Sequence, residues 1–229
     1  MNIDIWKVLT AVLSVVFVVS IVTPSVTGLF SYASTSSEVV KVELFIMSYC
    51  PYGTQAQEGI IPAIQVLGGN VDFSVKFVDY IMHGKQEIDE NLRQYCIQEV
   101  SPSKYLGYAT CFVASKDASA CMASNGIDAS SVASCVASTD DEFDITNLYN
   151  DKSTWLSGYY PLFPIHADLN DAYGVQGSPT LVVNGKQVSS ASRSAQGFLD
   201  AICASFTAKP GACAVALSGS AATSTGSCN

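Results

Sequence analysis

The first part of the chain shows a change of hydrophobic periodicity that predicts a strand, a helix and a second strand. Val39–Met47 is a nearly continuous apolar run rich in Val, Ile and Phe, which is typical of a buried strand. Thr54–Leu67 has apolar residues at helical spacing and is followed by a Gly-Gly-Asn turn. Val71–Tyr80 alternates between apolar and other residues. Because a helix connects the two strands, we expect them to pair in parallel.

The middle of the chain, from about residue 81 to residue 155, lacks long β-type runs and predicts several short helices. They are expected near Glu87–Glu99, Ser103–Val113, Ala118–Asn125, Ala129–Ser138 and Phe143–Trp155. We find no internal repeat in the sequence. This stretch is therefore predicted to be an all-helical segment that follows the second strand.

The last part of the chain returns to β-type patterns. The predicted order is the end of a helix at Asp168–Tyr173, a turn at Gly174–Ser178, a strand at Pro179–Val183, an Asn184-Gly185 hairpin that pairs back through Lys186–Val188, and a helix at Ser194–Phe206. The complete order of elements is that of a thioredoxin fold interrupted after its second strand. We therefore predict an α/β, thioredoxin-like fold with an all-helical insertion, preceded by an N-terminal hydrophobic helix.

The N-terminus predicts export. No charged residue occurs from residue 8 to residue 37, Val8–Val22 is almost wholly apolar, and Lys7 precedes it as in a signal-peptide n-region. One interpretation is a cleaved signal peptide, with small residues at Ser31 and Ala33 near the cut site. The other is a retained membrane anchor, which we favour because a sharp cleavage motif is missing and the run is long enough to span a bilayer. Both interpretations give a membrane-anchored or secreted protein with an extracytoplasmic functional domain.

These patterns divide the chain into five predicted segments. They are a signal anchor or signal peptide with a linker (1–35), a first thioredoxin-like half (36–80), the helical insertion (81–158), a second thioredoxin-like half (159–207) and a flexible, cysteine-containing tail (208–229).

Composition and charge exclude several classes of function. Hydrophobic residues make up 48% of the 229-residue chain and charged residues 14%, which excludes a disordered polymer. The net charge of −9 argues against binding to nucleic acid, whose phosphates an acidic surface repels. The two histidines, His83 and His166, are too few for a His-rich metal site.

Cys50 is the strongest candidate for chemistry. It lies where the first predicted strand ends and the helix begins, and helix N-termini stabilise the thiolate, which is the reactive form of cysteine. Pro51 suits the first helical turn, because its missing N–H would be unpaired there. Tyr49 and Tyr52 flank the sulfur and could cover a peptide substrate.

The second half of the predicted site is the Gly-Ser-Pro-Thr segment that precedes the third strand. In thioredoxin-type folds a cis-proline lies at this place, and proline tolerates the cis peptide better than any other residue. Such a bond before Pro179 would leave the backbone edge of Ser178 free to pair with an extended substrate. We therefore expect Tyr49, Pro51, Tyr52, Ser178 and Pro179 to bind substrate beside Cys50.

The two motifs, Ser48-Tyr49-Cys50-Pro51-Tyr52-Gly53 and Gly177-Ser178-Pro179-Thr180, resemble thioredoxin-fold disulfide oxidoreductases of the DsbA type. The middle of the chain resembles the gamma-interferon-inducible lysosomal thiol reductase (GILT) family, with its signature C-Q-H-G-x-x-E-C-x-x-N-x-x-x-x-C. Five signature positions match, namely His83, Gly84, Glu87, Asn91 and Cys96. The chain differs at Ile81, Met82 and Ile88, so two signature cysteines are missing. The resemblance covers about residues 39–206 and implies thiol–disulfide exchange outside the cytosol.

Gly53 is the most consequential departure from these families. Dithiol members have a Cys-x-x-Cys motif, in which the second thiol releases the mixed disulfide, and here that position is glycine. A single cysteine can still attack a disulfide through its thiolate, but another thiol must resolve the intermediate. The sequence therefore predicts a monothiol site.

Four cysteines of the insertion are expected to form structural disulfides. Their spacings of 14, 9 and 13 intervening residues include no short Cys-x₂₋₄-Cys pair, so an exported chain favours disulfides over a zinc site. Of the three connectivities we favour Cys96–Cys135 together with Cys111–Cys121. We expect no metal and no cofactor.

The C-terminal part has three further cysteines, Cys203, Cys213 and Cys228. One hypothesis is that Cys228, on its Gly/Ser/Thr-rich tether, resolves the mixed disulfide of Cys50. The 14 residues between Cys213 and Cys228 would reach about 20 Å if flexible. The alternative is a structural clip, Cys213–Cys228 or Cys203–Cys213, that only ties the tail down.

Three functions remain in view. The first is an extracytoplasmic thiol–disulfide oxidoreductase or isomerase acting on exported cysteine-containing proteins or low-molecular-weight thiols. The second is a redox-silent, peptide-binding or chaperone-like module. A third, a monothiol glutaredoxin holding an iron–sulfur cluster, is disfavoured by the export signal and the insertion. His83 is expected to order a loop rather than to transfer protons.

Overall fold

The computed structural model describes residues 38–189 and 192–217. The strands in these residues are β1 (Val40–Ile46), β2 (Val71–Phe77), β3 (Thr180–Val183) and β4 (Lys186–Gln187). The α-helices are α1 (Pro51–Leu67), α2 (Lys85–Val100), α3 (Tyr105–Ser115), α4 (Ala118–Ser124), α5 (Ala129–Phe143), α6 (Ile145–Asn150), α7 (Ala167–Tyr173) and α8 (Ala195–Cys203). Short 3₁₀ helices lie at Gly68–Asn70, Pro102–Lys104, Lys152–Thr154, Pro164–His166 and Gly211–Ala214.

The four strands form one mixed sheet in the order β2-β1-β3-β4. β1 pairs with β2 in parallel, and β3 is antiparallel to both β1 and β4. Helices α2 to α6 lie between β2 and β3 in the chain. The chain therefore has the thioredoxin-like α/β fold with the helical insertion that the sequence predicts.

The predicted N-terminal hydrophobic helix lies outside the described residues. No helix in the described part of the chain is both long and apolar enough to cross a bilayer.

Alternating residues of β1 supply two apolar cores, because successive side chains point to opposite faces of a sheet. Val42 and Leu44 belong to the larger cluster, with residues of α1 and α8 such as Ile60. Phe45, and Met47 directly after β1, belong to a smaller cluster that also contains Cys50. The end of β1 and the start of α1 are thus fixed by packing on both faces of the sheet.

The second half of the outer edge of β2 is covered by side chains. Gln98 bonds to both the N–H and the C=O of Val75, at 2.8 Å and 3.0 Å. His166 Nδ1 accepts the N–H of Phe77 at 3.1 Å, and Asn170 donates to its carbonyl at 3.0 Å. These bonds satisfy the edge groups of Val75 and Phe77 and disfavour the addition of another strand beside them.

Several predicted boundaries are wrong by a few residues. The strand expected to reach Tyr80 ends at Phe77, because the chain there turns to pair with the loop before α7, where Tyr80 bridges Leu162. The helix expected at Phe143–Trp155 is only Ile145–Asn150. Its predecessor extends to Phe143 through a polar Thr-Asp-Asp-Glu run, which lacks the apolar spacing on which the prediction depended.

Candidate active site

Cys50 is the residue that joins β1 to α1. Its N–H donates to Met47 O at 3.1 Å, which closes the turn, and its carbonyl accepts the N–H of Thr54 at 2.9 Å. The backbone of Cys50 is extended (φ −66°, ψ 124°) and Pro51 is the first helical residue. Cys50 is therefore the N-cap of α1, as its place between strand and helix predicts.

The first turn of α1 carries no acidic residue, so no carboxylate there opposes the partial positive charge of the helix N-terminus. That positive end favours a thiolate over a thiol at the N-cap. The local structure therefore suits a cysteine that reacts as an anion.

The cis-proline loop lies directly against Cys50. The Ser178–Pro179 peptide bond is cis, and Cys50 Sγ lies 3.8 Å from the carbonyl oxygen of Ser178. The N–H of Met47 donates to Ser178 Oγ at 2.9 Å, so the loop is also tied to the end of β1. Two motifs 128 residues apart in sequence meet at one sulfur.

The space at Gly53 is closed by its neighbours. A Cβ atom on this residue would lie 2.5 Å from Ser178 Oγ and 2.8 Å from Met47 O, both well inside contact distance. A cysteine here, as in a Cys-x-x-Cys motif, would need the cis-proline loop or the end of β1 to move. The packing around Gly53 therefore leaves no room for the side chain of a second cysteine at this position.

Three disulfides join described cysteines, namely Cys96–Cys135, Cys111–Cys121 and Cys203–Cys213. The first two are the pairings that we favoured from the sequence, and the third is one of the two clips considered there. Cys50 is also in the disulfide-bonded state, and its side chain is fully buried. Of the eight cysteines in the sequence, only Cys50 and Cys228 belong to none of these three bridges. Cys228 lies outside the described residues.

The two tyrosines beside Cys50 point to different parts of the molecule. The ring of Tyr49 packs edge-on against Phe112 of the insertion, with a centroid distance of 5.8 Å. Lys116 Nζ lies 4.8 Å from the Phe112 ring centroid, and burial lowers the pKa of this lysine to about 8. The ring of Tyr52 instead faces the guanidinium of Arg193, which sequence analysis did not single out, at 4.9 Å.

A groove of about 430 Å³ runs along the cis-proline side of the sheet. It is lined by Leu44, Pro179, Thr180, Leu181, Gln187, Val188, Ser189, Ser192, Arg193 and Phe198. Pro179 is the member of this lining nearest in sequence to the Ser178 carbonyl that contacts Cys50. The groove therefore has the cis-proline and the Arg193 cation in its lining.

The loop before Cys50 is bonded to the first helix of the insertion. Asn91 Oδ1 accepts the N–H of Ser48 at 3.1 Å, and Glu87 Oε2 accepts the N–H of Tyr49 at 3.3 Å. His83 Nδ1 lies 2.6 Å from the same Glu87 oxygen. The sequence marks Glu87 and Asn91 only as signature matches and indicates no role for them.

The second histidine, His166, lies away from Cys50 at the edge of β2. Burial, with the positive charge of Lys76, lowers its pKa to about 3, so the ring is neutral and Nδ1 can accept a hydrogen bond. Among the described residues no group of three or more His, Cys, Asp and Glu side chains is placed to hold a metal ion.

Comparison with known proteins gives fold relatives only. No family model and no curated protein matches the chain. The reduced disulfide bond oxidoreductase DsbG from Mycobacterium tuberculosis aligns with a TM-score of 0.54 at 14% identity, over 79% of this chain and 86% of that one. The reduced DsbA of the same organism gives 0.51 at 15% identity, over 76% and 85%.

A third similar structure is MdbA, a thiol-disulfide oxidoreductase from Actinomyces oris. Its TM-score is 0.50 at 11% identity, over 75% of this chain and 83% of that one. At these identities the likeness shows a shared fold. The chain thus has the thioredoxin-like fold of DsbA- and DsbG-type oxidoreductases.

Proposed function

We propose that the chain is an extracytoplasmic thiol–disulfide oxidoreductase of the monothiol type, with Cys50 as its nucleophile. The observation that carries the proposal is the position of Cys50 Sγ, at the N-terminus of α1 and 3.8 Å from the carbonyl preceding cis-Pro179. Among the fold relatives, DsbG is described as a disulfide bond oxidoreductase and MdbA as a thiol-disulfide oxidoreductase.

The chemistry is two successive thiol–disulfide exchanges. The Cys50 thiolate attacks one sulfur of a substrate disulfide, which forms a mixed disulfide and releases the other substrate sulfur as a thiolate. A second thiolate then attacks the Cys50 sulfur of the mixed disulfide, which forms a disulfide between that thiol and Cys50 and releases the remaining substrate sulfur as a thiolate. The same two steps in reverse order oxidise a substrate dithiol. The reduction potentials of the substrate couple and the Cys50 couple set the direction.

Cys228 is proposed as the resolving thiol. Cys50 and Cys228 are the two cysteines outside the three described bridges, and Cys50 is in a disulfide-bonded state. The closed space at Gly53 supports a resolving thiol from elsewhere in the sequence. The couple Cys50/Cys228 would then replace the adjacent pair of a Cys-x-x-Cys motif.

The proposed substrates are exported proteins with cysteines, or low-molecular-weight thiols. An extended substrate would pair with the backbone of Ser178 and continue along the groove, with Pro51 and Tyr52 beside the sulfur. The matches to the lysosomal thiol reductase signature at His83, Glu87 and Asn91 support a relationship to that family. Attachment to a membrane through the N-terminal segment is part of the same proposal.

A redox-silent, peptide-binding module is the second candidate. The full burial of Cys50 favours it, because attack on a substrate needs an exposed sulfur. The oxidoreductase proposal therefore requires that reduction of Cys50 makes its sulfur accessible.

The test is the exchange rate of the reduced full-length chain with a small aromatic disulfide and with a scrambled disulfide protein. We expect Cys50→Ser to lower both rates to the uncatalysed level and Cys228→Ser to prolong the mixed disulfide at Cys50. The paired variant Cys203→Ser with Cys213→Ser is the control and should exchange normally. A wild-type rate no faster than that of a free thiol would favour the binding module, and an unchanged mixed-disulfide lifetime would exclude Cys228 as the resolving thiol.

A further inference from the structure

We propose that Glu87 and Asn91 of α2 are positioning residues that set the reactivity of Cys50 by holding the two amides before it. The inference rests on the proposed function, since it assigns a role in thiol exchange. It concerns side chains of the insertion, which supplies neither the sulfur nor the cis-proline.

Glu87 is a buried carboxylate that bonds two loops at once. Its side chain has no exposed surface. Oε1 accepts the N–H groups of Met82 and His83, at 2.9 Å and 3.3 Å. Oε2 accepts the N–H of Tyr49 at 3.3 Å and lies 2.6 Å from His83 Nδ1. A buried carboxylate must be satisfied by such donors, so Glu87 fixes the loop before Cys50 relative to the loop before α2.

Asn91 lies one turn further along the same face of α2. Its Oδ1 accepts the N–H of Ser48 at 3.1 Å, and both residues are buried. Its Nδ2 is a buried donor with no acceptor in the described part of the chain. The contact of Asn91 with the loop before Cys50 is therefore made by its side-chain carbonyl oxygen.

The two acceptors hold consecutive amides, those of Ser48 and Tyr49, directly before the N-cap. Ser48 Oγ adds a third bond, to the carbonyl of Glu87 at 3.4 Å. These contacts fix the direction in which the chain enters α1, and hence where the sulfur lies relative to the free N–H groups of the first turn. Loss of that alignment would remove stabilisation of the thiolate.

Helix α2 is itself anchored at its other end. Cys96 in its last turns is bonded to Cys135 of α5, and Gln94 bonds to Gln57 of α1 at 2.9 Å. A helix held at both ends can impose a position on a loop. A role that only stabilised the fold would leave the chemistry of a folded variant unchanged, and this difference is measurable.

The test compares neutral and charged variants in the full-length chain, reduced at Cys50. Asn91→Leu removes the Ser48 acceptor without changing charge, and Glu87→Gln replaces one acceptor oxygen by a donor. Asn91→Asp keeps the acceptor and is the conservative rescue. Asp89→Asn is the matched control, because Asp89 lies on the same helix, is half exposed and pairs only with Lys85 among the described residues.

The readouts are the thiolate absorbance of Cys50 against pH and its rate with a small disulfide, below the unfolding transition. We expect Asn91→Leu to raise the titration midpoint, and both Asn91→Leu and Glu87→Gln to lower the rate by about tenfold to a hundredfold. Asp89→Asn should stay within about threefold of wild type, since it keeps both amide acceptors. Asn91→Asp keeps the Ser48 acceptor but adds a buried negative charge near Glu87, so its rate should lie between those of Asn91→Leu and wild type.

Two outcomes would overturn the proposal. If folded Asn91→Leu and Glu87→Gln keep the wild-type midpoint and rate, the contacts are structural only, while the proposed function stands. If Asn91→Leu does not fold, the exchange rate of Glu87→Gln relative to wild type tests the proposal alone. If wild-type Cys50 itself titrates and exchanges as an ordinary thiol, the proposed function and this inference both fail.

Discussion

The sheet and the helical insertion are held together by different physical means. Around β1 the core is aliphatic and aromatic, with Val42, Leu44 and Ile46 fully buried. β1 buries one charge as well, Glu43, which pairs with Lys41. The insertion adds a buried polar network, in which Glu90 is 1% exposed and is satisfied by Arg93, Tyr108 and Gln94. It also contains two of the three described disulfides. An apolar core tolerates substitution by other apolar residues of similar volume, whereas every polar group of a buried network needs a hydrogen-bond partner.

The candidate site contains residues from both regions. Each region contributes the kind of group that its way of packing can hold in place. The sheet region supplies the sulfur and the cis-proline loop, whose places depend on backbone topology. The insertion supplies Glu87 and Asn91, whose hydrogen bonds need fixed directions. The cross-linked helix α2 therefore holds the loop before Cys50, and the sheet topology brings Cys50 and the cis-proline loop together.

The largest expected effect comes from removing the cross-link that anchors α2. Replacing Cys96 and Cys135 together by alanine should lower the free energy of unfolding by about 3–4 kcal/mol, as expected from chain entropy for a sequence separation of 39. The matched control is the Cys203–Cys213 pair, with a separation of 10, whose loss should cost about 2–3 kcal/mol. Denaturant titration measures both. An equal or smaller loss for the insertion bridge would mean that this region does not depend on its cross-link.

The next effect tests the closed space in the sheet region. Gly53→Ala places a Cβ atom 2.5 Å from Ser178 Oγ and 2.8 Å from Met47 O, so the loop must shift at a cost of about 1–3 kcal/mol. Adding Ser178→Gly should recover part of this loss. Gly69→Ala meets no atom within 4 Å and should change the free energy of unfolding by less than about 0.5 kcal/mol. Equal unfolding midpoints for the two alanine variants would show that the site has room for a second thiol.

The smallest effect concerns the edge of β2 and acid stability. The pKa of His166 is lowered to about 3 in the folded chain, against about 6.5 when unfolded. Between these values the unfolded chain binds more protons, so the free energy of unfolding falls as pH drops below about 6.5, by up to about 1.4 kcal/mol per pH unit.

The His166→Asn variant lacks this titration. The deficit in its free energy of unfolding relative to wild type should therefore shrink between pH 6.5 and pH 4.5, by about 2 kcal/mol in total. Urea unfolding at several pH values measures the difference. Curves that stay parallel would show that His166 is not buried as a neutral acceptor.

The sequence predicts the sheet region better than the insertion. The strand before Cys50, the helix after it and the Asn184-Gly185 hairpin follow from local apolar patterns and turn residues. In the insertion, α2 buries polar side chains such as those of Glu87, Asn91 and Gln94, which apolar spacing does not mark. The helix expected to end at Ser138 continues to Phe143 through a polar run that carries no apolar periodicity.

The site divides in the same way. Cys50 and Pro179 are found from local motifs, and their approach follows from fold topology. The roles of Glu87 and Asn91 depend on hydrogen bonds across 38 and 43 residues, which no local pattern encodes. Arg193, which faces Tyr52, carries no signal in the sequence beyond its charge. The closed space at Gly53 likewise becomes visible only when Ser178 and Met47 are in place.

The most direct test of the central claim is the pKa of Cys50. It should be measured by the pH dependence of alkylation in the full-length chain reduced at this residue, with the labelled cysteine identified by mass mapping. A thiolate stabilised at the N-terminus of α1 predicts a midpoint well below the value of about 8.5 for a free thiol. A midpoint at or above that value would contradict the account, and Cys50 would then be a structural residue in a peptide-binding module.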